Sequence, residues 1–167
     1  KVLDAFRSAY PDHELNREAT KQMAFVYQKE GELSRAAGEY ERVAKEAGDP
    51  ELRRAALLEA GELYENGKAA DRALAVYLAY VNEFPKPVEL NAETRSKIAG
   101  MYKATQDDGR YREQLVQIVG VDAAAGDERT PRTRYLAAQS ALVLAEGLYH
   151  RFGEVQLRQP FERSLKE

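Results

Sequence analysis

Residues 49–85, DPELRRAALLEAGELYENGKAADRALAVYLAYVNEFP, decide the fold. Asp49-Pro50 reads as a helix start, because an Asp side chain can accept from the free amides of a first turn and Pro needs no partner there. Leu57, Ala60, Gly61 and Tyr64 recur at helical spacing, and Gly67 breaks the run. Ala73, Tyr77 and Tyr80 line a second helix that stops before Phe84-Pro85. The small residues Gly61 and Ala73 have a physical use. Two antiparallel helices approach closely only where side chains are minimal, and large tyrosines then fill the flanking gaps.

Working outward, the same pattern returns at a 37-residue step: Tyr27 becomes Tyr64, Ala36 becomes Ala73, Tyr40 becomes Tyr77, and Pro11 returns as Pro85 after two steps. A fixed period in this range marks stacked supersecondary units that share a continuous core. The expected organisation is the second helix of a preceding unit over 1–13, full units over 14–48 and 49–87, a diverged unit over 88–128, and a long helix plus a short terminal one over 129–167. Within these, Gly31 is expected to end the first helix of its unit and Asp107-Asp108-Gly109 to form the turn of the diverged one. That unit is expected to start near Asn91, and Thr130-Pro131 to open the long helix. Pro160 is expected to open the last one. The chain starts at Lys1 without Met and stops on Leu165-Lys166-Glu167, so both ends are expected to continue into a longer protein.

Leu57, Ala60-Gly61, Tyr64, Ala73, Tyr77, Tyr80 and Pro85 together resemble the tetratricopeptide repeat (TPR) family. Ala60 stands where that family has Leu, and Tyr80 where it has a small residue. The resemblance implies an all-α, right-handed solenoid of antiparallel helix pairs that binds protein. A narrower resemblance rests on Phe84–Glu89 and Arg134–Glu146, which are similar to segments of large bacterial cell-envelope TPR proteins. Those accompany Tol- or TonB-type energised systems and outer-membrane assembly, so it implies a periplasmic scaffold. A cytoplasmic TPR regulator or co-chaperone, or the substrate-docking arm of an enzyme whose catalytic domain lies elsewhere, are the alternatives.

Bulk properties narrow the chemistry. The chain has 167 residues, 32% of them charged, and a net charge of -3, too small to call for a polyionic partner. A dense basic stripe with interleaved aromatics, the mark of a nucleic-acid binder, is missing. Without cysteine there is neither thiol catalysis nor a Cys-based zinc site. No apolar run reaches the length of a membrane span. His150 and Glu154 stand four apart, a spacing that can ligate a metal, but further ligands at partner spacing are lacking, so no metal or other cofactor is expected. Phosphate-cradling glycine motifs and a serine on a nucleophile elbow are likewise missing, and no catalytic residue is assigned.

Tyr27, Tyr40, Tyr64, Tyr77 and Tyr102 fall at repeat-defining positions and are read as packing. In TPR solenoids the inner face of each first helix lines the groove. That resemblance, with the register above, implies a protein- or peptide-binding row of Lys21, Phe25, Gln28, Leu58, Glu62, Glu65, Ser96 and Lys103. A carboxylate clamp of the co-chaperone kind is not implied, since Phe25 and Glu59 stand where its two Asn would be. Self-association through the exposed ends is a further expectation.

Overall fold

The structure, a computed structural model, describes residues 2–10 and 13–153. These are all-α. Helices α1 (Val2–Ala9), α2 (Asn16–Lys29), α3 (Leu33–Glu46), α4 (Pro50–Asn66), α5 (Ala70–Glu83), α6 (Val88–Ala104), α7 (Asp108–Ala124) and α8 (Pro131–Gly153) follow in order, with a single 3₁₀ turn at Gly126–Glu128. Each helix packs against the next, and α8 also touches α6. Connections this short force packed neighbours to run antiparallel.

The starts follow from side-chain chemistry. Asp49 accepts from the amides of Glu51 and Leu52 at 3.1 and 3.3 Å, and Pro50 occupies the first position of α4. At α8 the cap is reciprocal. The Thr133 amide donates to Thr130 Oγ1 and the Thr130 amide to Thr133 Oγ1, both at 3.1 Å, with Pro131 first in the helix. Each pair satisfies amides that a helix start would otherwise leave unpaired.

One turn is built three times. After Tyr27, Tyr64 and Tyr102 the helix closes with the same two bonds, the longer-range one running from the amides of Glu32, Ala69 and Asp107 to those tyrosine carbonyls at 2.8–2.9 Å. The residue before each of these amides is left-handed: Gly31 at φ 78°, Lys68 at 59° and Gln106 at 59°. This is the Schellman arrangement, which uses the last free carbonyls of a helix. Only Gly31 meets the usual demand for glycine at the left-handed position. Gly67 has an ordinary φ of -78°, and the reversal falls on Lys68 instead.

Two expectations change. Asp107-Asp108-Gly109 is not the turn of the third pair: Asp107 accepts from the Arg110 amide at 3.0 Å and so caps α7, which already contains Asp108 and Gly109. Helix α6 begins at Val88 and carries Asn91 in its first turn, where the buried amide side chain donates to the carbonyls of Val81 and Phe84 at 3.0 and 2.8 Å. Asn91 thus ties the end of α5 to the start of α6. The expected helix at Pro160 and the residue Glu154 lie outside the described residues.

The core is aromatic and small-residue. Tyr64, Tyr77 and Tyr80 are fully buried among Ala36, Ala60, Ala73, Leu63, Val76 and Ile98. At the crossing of α4 and α5 the Tyr77 ring occupies the place of a side chain at Gly61: a Cβ there would lie 2.3 Å from Tyr77 Cε1. A second, aliphatic cluster joins Ala92, Ile118 and Leu136 across α6, α7 and α8.

Candidate protein-binding surface

The eight residues expected to line a groove lie on α2, α4 and α6, the first helices of three successive pairs. Lys21, Phe25 and Gln28 are exposed on α2, with Phe25 at 53%. Its ring is not bare, since the Lys29 ammonium stands 5.4 Å from the ring centroid. On α4, Glu62 and Glu65 are exposed, whereas Leu58 is half-buried against the aromatic core. Ser96 is half-buried on α6, and Lys103 is exposed with its ammonium 5.7 Å from the Tyr111 ring centroid.

The structure ties two of these residues together through a third that the row does not include. Lys97 donates to Glu62 Oε1 at 3.0 Å, to Glu65 Oε2 at 3.5 Å and to the Tyr77 hydroxyl at 3.2 Å, while that hydroxyl donates to Glu65 at 2.8 Å. Burial and the Glu65 hydrogen bond hold the Tyr77 phenol well above its ordinary range. For Lys97, partial burial works against the charge, but the bonds to Glu62 and Tyr77 together outweigh it and raise its value. At neutral pH Lys97 is therefore an ammonium and Tyr77 a neutral phenol, and Glu65 bonds to both. Tyr77 has two roles here, with its ring against Gly61 and its hydroxyl at the surface cluster. A packing assignment for the ring alone misses the second.

A second feature absent from the sequence reading follows the repeat. Arg35 stacks on Tyr27, Arg72 on Tyr64 and Arg110 on Tyr102, with guanidinium-to-ring distances of 4.2, 5.6 and 5.6 Å. Arg35 and Arg72 also donate to the hydroxyl of the same ring at 3.0 and 3.1 Å. Each Arg follows its Tyr by eight residues, across the repeated turn. That constant spacing was the available signal, and it reads as a clamp on the turn rather than a ligand site. Tyr64 carries a further load by donating to Glu41 at 2.5 Å, which links α4 to α3.

Elsewhere the polar groups serve the joints. Buried Asp122 accepts from Thr133 Oγ1 at 2.7 Å and from Arg129 Nε at 2.8 Å, fastening α7 to α8. The Arg129 hydrogen bond first, with help from Thr133, holds this carboxyl below its ordinary range. His13 and His150 are both exposed, and the His13 ring lies against Phe6 with its Nδ1 accepting from the Leu15 amide at 3.1 Å. Among the described residues no group of three or more His, Asp or Glu could hold a metal ion, and no helix is long and apolar enough to cross a membrane.

What the surface can do chemically is present an aromatic ring among Lys21, Gln28 and Lys29 at one end, and a Glu–Lys–Glu cluster bonded to itself further along. No family model matches the chain, and no curated protein or solved structure matches it either.

Proposed function

We propose that this chain is a TPR-type protein-binding scaffold, part of a bacterial cell-envelope assembly, which captures a peptide or helix along the first helices of its pairs. The observation that carries the reading is the threefold recurrence of one turn, with a left-handed residue at the same place, a tyrosine carbonyl and a stacked arginine. Repetition of a local device at repeat spacing supports a solenoid of equivalent units, and solenoids present extended binding walls. The envelope location rests on the resemblance of Phe84–Glu89 and Arg134–Glu146 alone.

Phe25 is the anchor of this proposal. It is exposed, aromatic and flanked by Lys21 and Lys29, so it suits a partner with an apolar side chain beside acidic groups. Leu58 contributes less, because much of it is already spent on the core. The test is capture from the native host by the chain and by Phe25→Ser, with mass spectrometry of both eluates. Envelope components that bind the first and not the second are the expected result. Cytosolic chaperones in their place would overturn the location, and identical eluates would overturn the assignment of Phe25.

A further inference from the structure

Helix α8 carries two apolar faces. Thr133, Leu136, Ala137 and Ser140 are buried against the preceding helices. On the opposite side, at about 100° per residue, Tyr135, Ala138, Leu142, Ala145, Tyr149 and Phe152 form a second row, and all six are exposed. The large ones are exposed by 57% (Tyr135), 59% (Leu142), 76% (Tyr149) and 77% (Phe152). Their spacing alternates three and four residues throughout. That is the seam by which one helix meets another, since the row stays in line over about 26 Å only against a partner of the same period.

The geometry points to a second copy of this chain as the occupant, with the two α8 helices antiparallel about an axis between Val143 and Leu144. In that arrangement Leu142 meets Ala145 of the other copy, Ala138 meets Tyr149, and Tyr135 meets Phe152. Large faces small in the four inner layers, and ring faces ring in the outer two, so the row complements itself in volume. A parallel pairing sets Ala on Ala and Tyr on Tyr, and leaves gaps beside clashes. Charge agrees with the antiparallel choice: the flanking Glu146 falls opposite Ala141 and Gln139 opposite Leu148, and no like charges are opposed. The three rings offer about 400 Å² between them. With Leu142 and the two alanines this becomes on the order of 600 Å² per copy, the low end of what a specific dimer needs. The interface stands apart from the α2–α4–α6 surface and does not depend on its role.

Sedimentation equilibrium from about 5 to 500 µM tests this, a range wide enough to catch the weak association of an interface at the low end of the specific sizes. The mass should climb from 18.8 kDa toward twice that value. Leu142→Glu should stay monomeric across the range with an unchanged circular dichroism spectrum and melting midpoint. The chain has no cysteine, so a second measurement is clean. Mixed Leu142→Cys and Ala145→Cys proteins should form a heterodimeric disulfide under mild oxidation, and mixed Tyr135→Cys and Leu142→Cys should not. A wild-type chain that remains at 18.8 kDa throughout overturns the proposal and assigns the row to another occupant, such as residues 154–167 or a different protein. A dimer indifferent to Leu142→Glu, or cross-linked equally by both cysteine mixtures, overturns it as well.

Discussion

The crossing of α4 with α5 and the joint between α7 and α8 hold two helices together by opposite means. At the first, Gly61 and the Tyr77 ring interlock, and the polar end of that ring reaches an ammonium. At the second, Asp122 is buried and bridged to Arg129 and Thr133 beside a small aliphatic cluster. One region depends on shape and on a neutral phenol, the other on a charge. They should therefore fail under different substitutions and at opposite ends of the pH scale.

The largest effect belongs to shape. Gly61→Leu should destabilise the chain by more than about 2 kcal/mol, because the Tyr77 ring fills the space that a side chain needs and overpacked cores cannot relax. An unchanged thermal midpoint would remove the interlock from the account. A subtler version compares Gly61→Ala with Gly100→Ala. Both sit within helices, where Ala is favoured over Gly by about 1 kcal/mol. Gly100 has nothing within 4 Å of a would-be Cβ, so there the gain should appear in full. At Gly61 the sign should reverse, and equal shifts in chemical denaturation would show that the crossing is loose.

Next come the two pH limbs. Tyr77 rises above its unfolded value of 10.0 and Lys97 above 10.5, so their contribution is complete below about pH 10 and is lost as pH climbs through the folded values. The stability advantage of wild type over Tyr77→Phe should thus hold up to about pH 10 and shrink progressively above it. Asp122 has the reverse sign. Its folded value lies below 3.8, so its contribution is complete above that pH and is lost as acid protonates the folded carboxylate. Asp122→Asn should flatten the acid side of the stability profile and leave the alkaline side alone. If both variants moved the same limb, the contrast between the regions would collapse.

The smallest expected change is at Tyr80, whose buried hydroxyl has no hydrogen-bond partner among the described residues. Tyr80→Phe removes an unsatisfied group and keeps the ring, so it should be neutral or stabilising by up to about 1 kcal/mol. A clear loss in the melting midpoint would reveal a bond that the present contacts do not show.

Local chemistry was legible where it depends on few atoms. Asp49-Pro50 and Thr130-Pro131 announced their helices because capping is decided within one turn. Gly109 misled for a local reason too, whereas Gly67 does end its helix without supplying the left-handed residue. Glycine is permitted at a left-handed position but not needed there, and the paired bonds of the turn hold Lys68 and Gln106 in that conformation instead. The recurring Tyr–Arg spacing was visible in principle, yet eight residues matches no helical period and becomes a contact only when the chain reverses between the two. Of the candidate surface, Lys21, Phe25 and Gln28 are exposed, at positions that the family resemblance and the register together implied. The burial of Leu58 and the capture of Glu62 and Glu65 by Lys97 did not, because Lys97 is more than 30 residues away in sequence.

By itself the sequence determined that this protein is helical, where α4 and α8 start, and that one pattern of small and aromatic residues recurs along it. Those properties arise from spacing and capping, which act over a few residues. Only the tertiary structure decided which ring fills the space beside Gly61, which tyrosine hydroxyls carry hydrogen bonds, and which apolar row on α8 is left exposed. Each of these depends on what the next helix places opposite, and no local pattern specifies that.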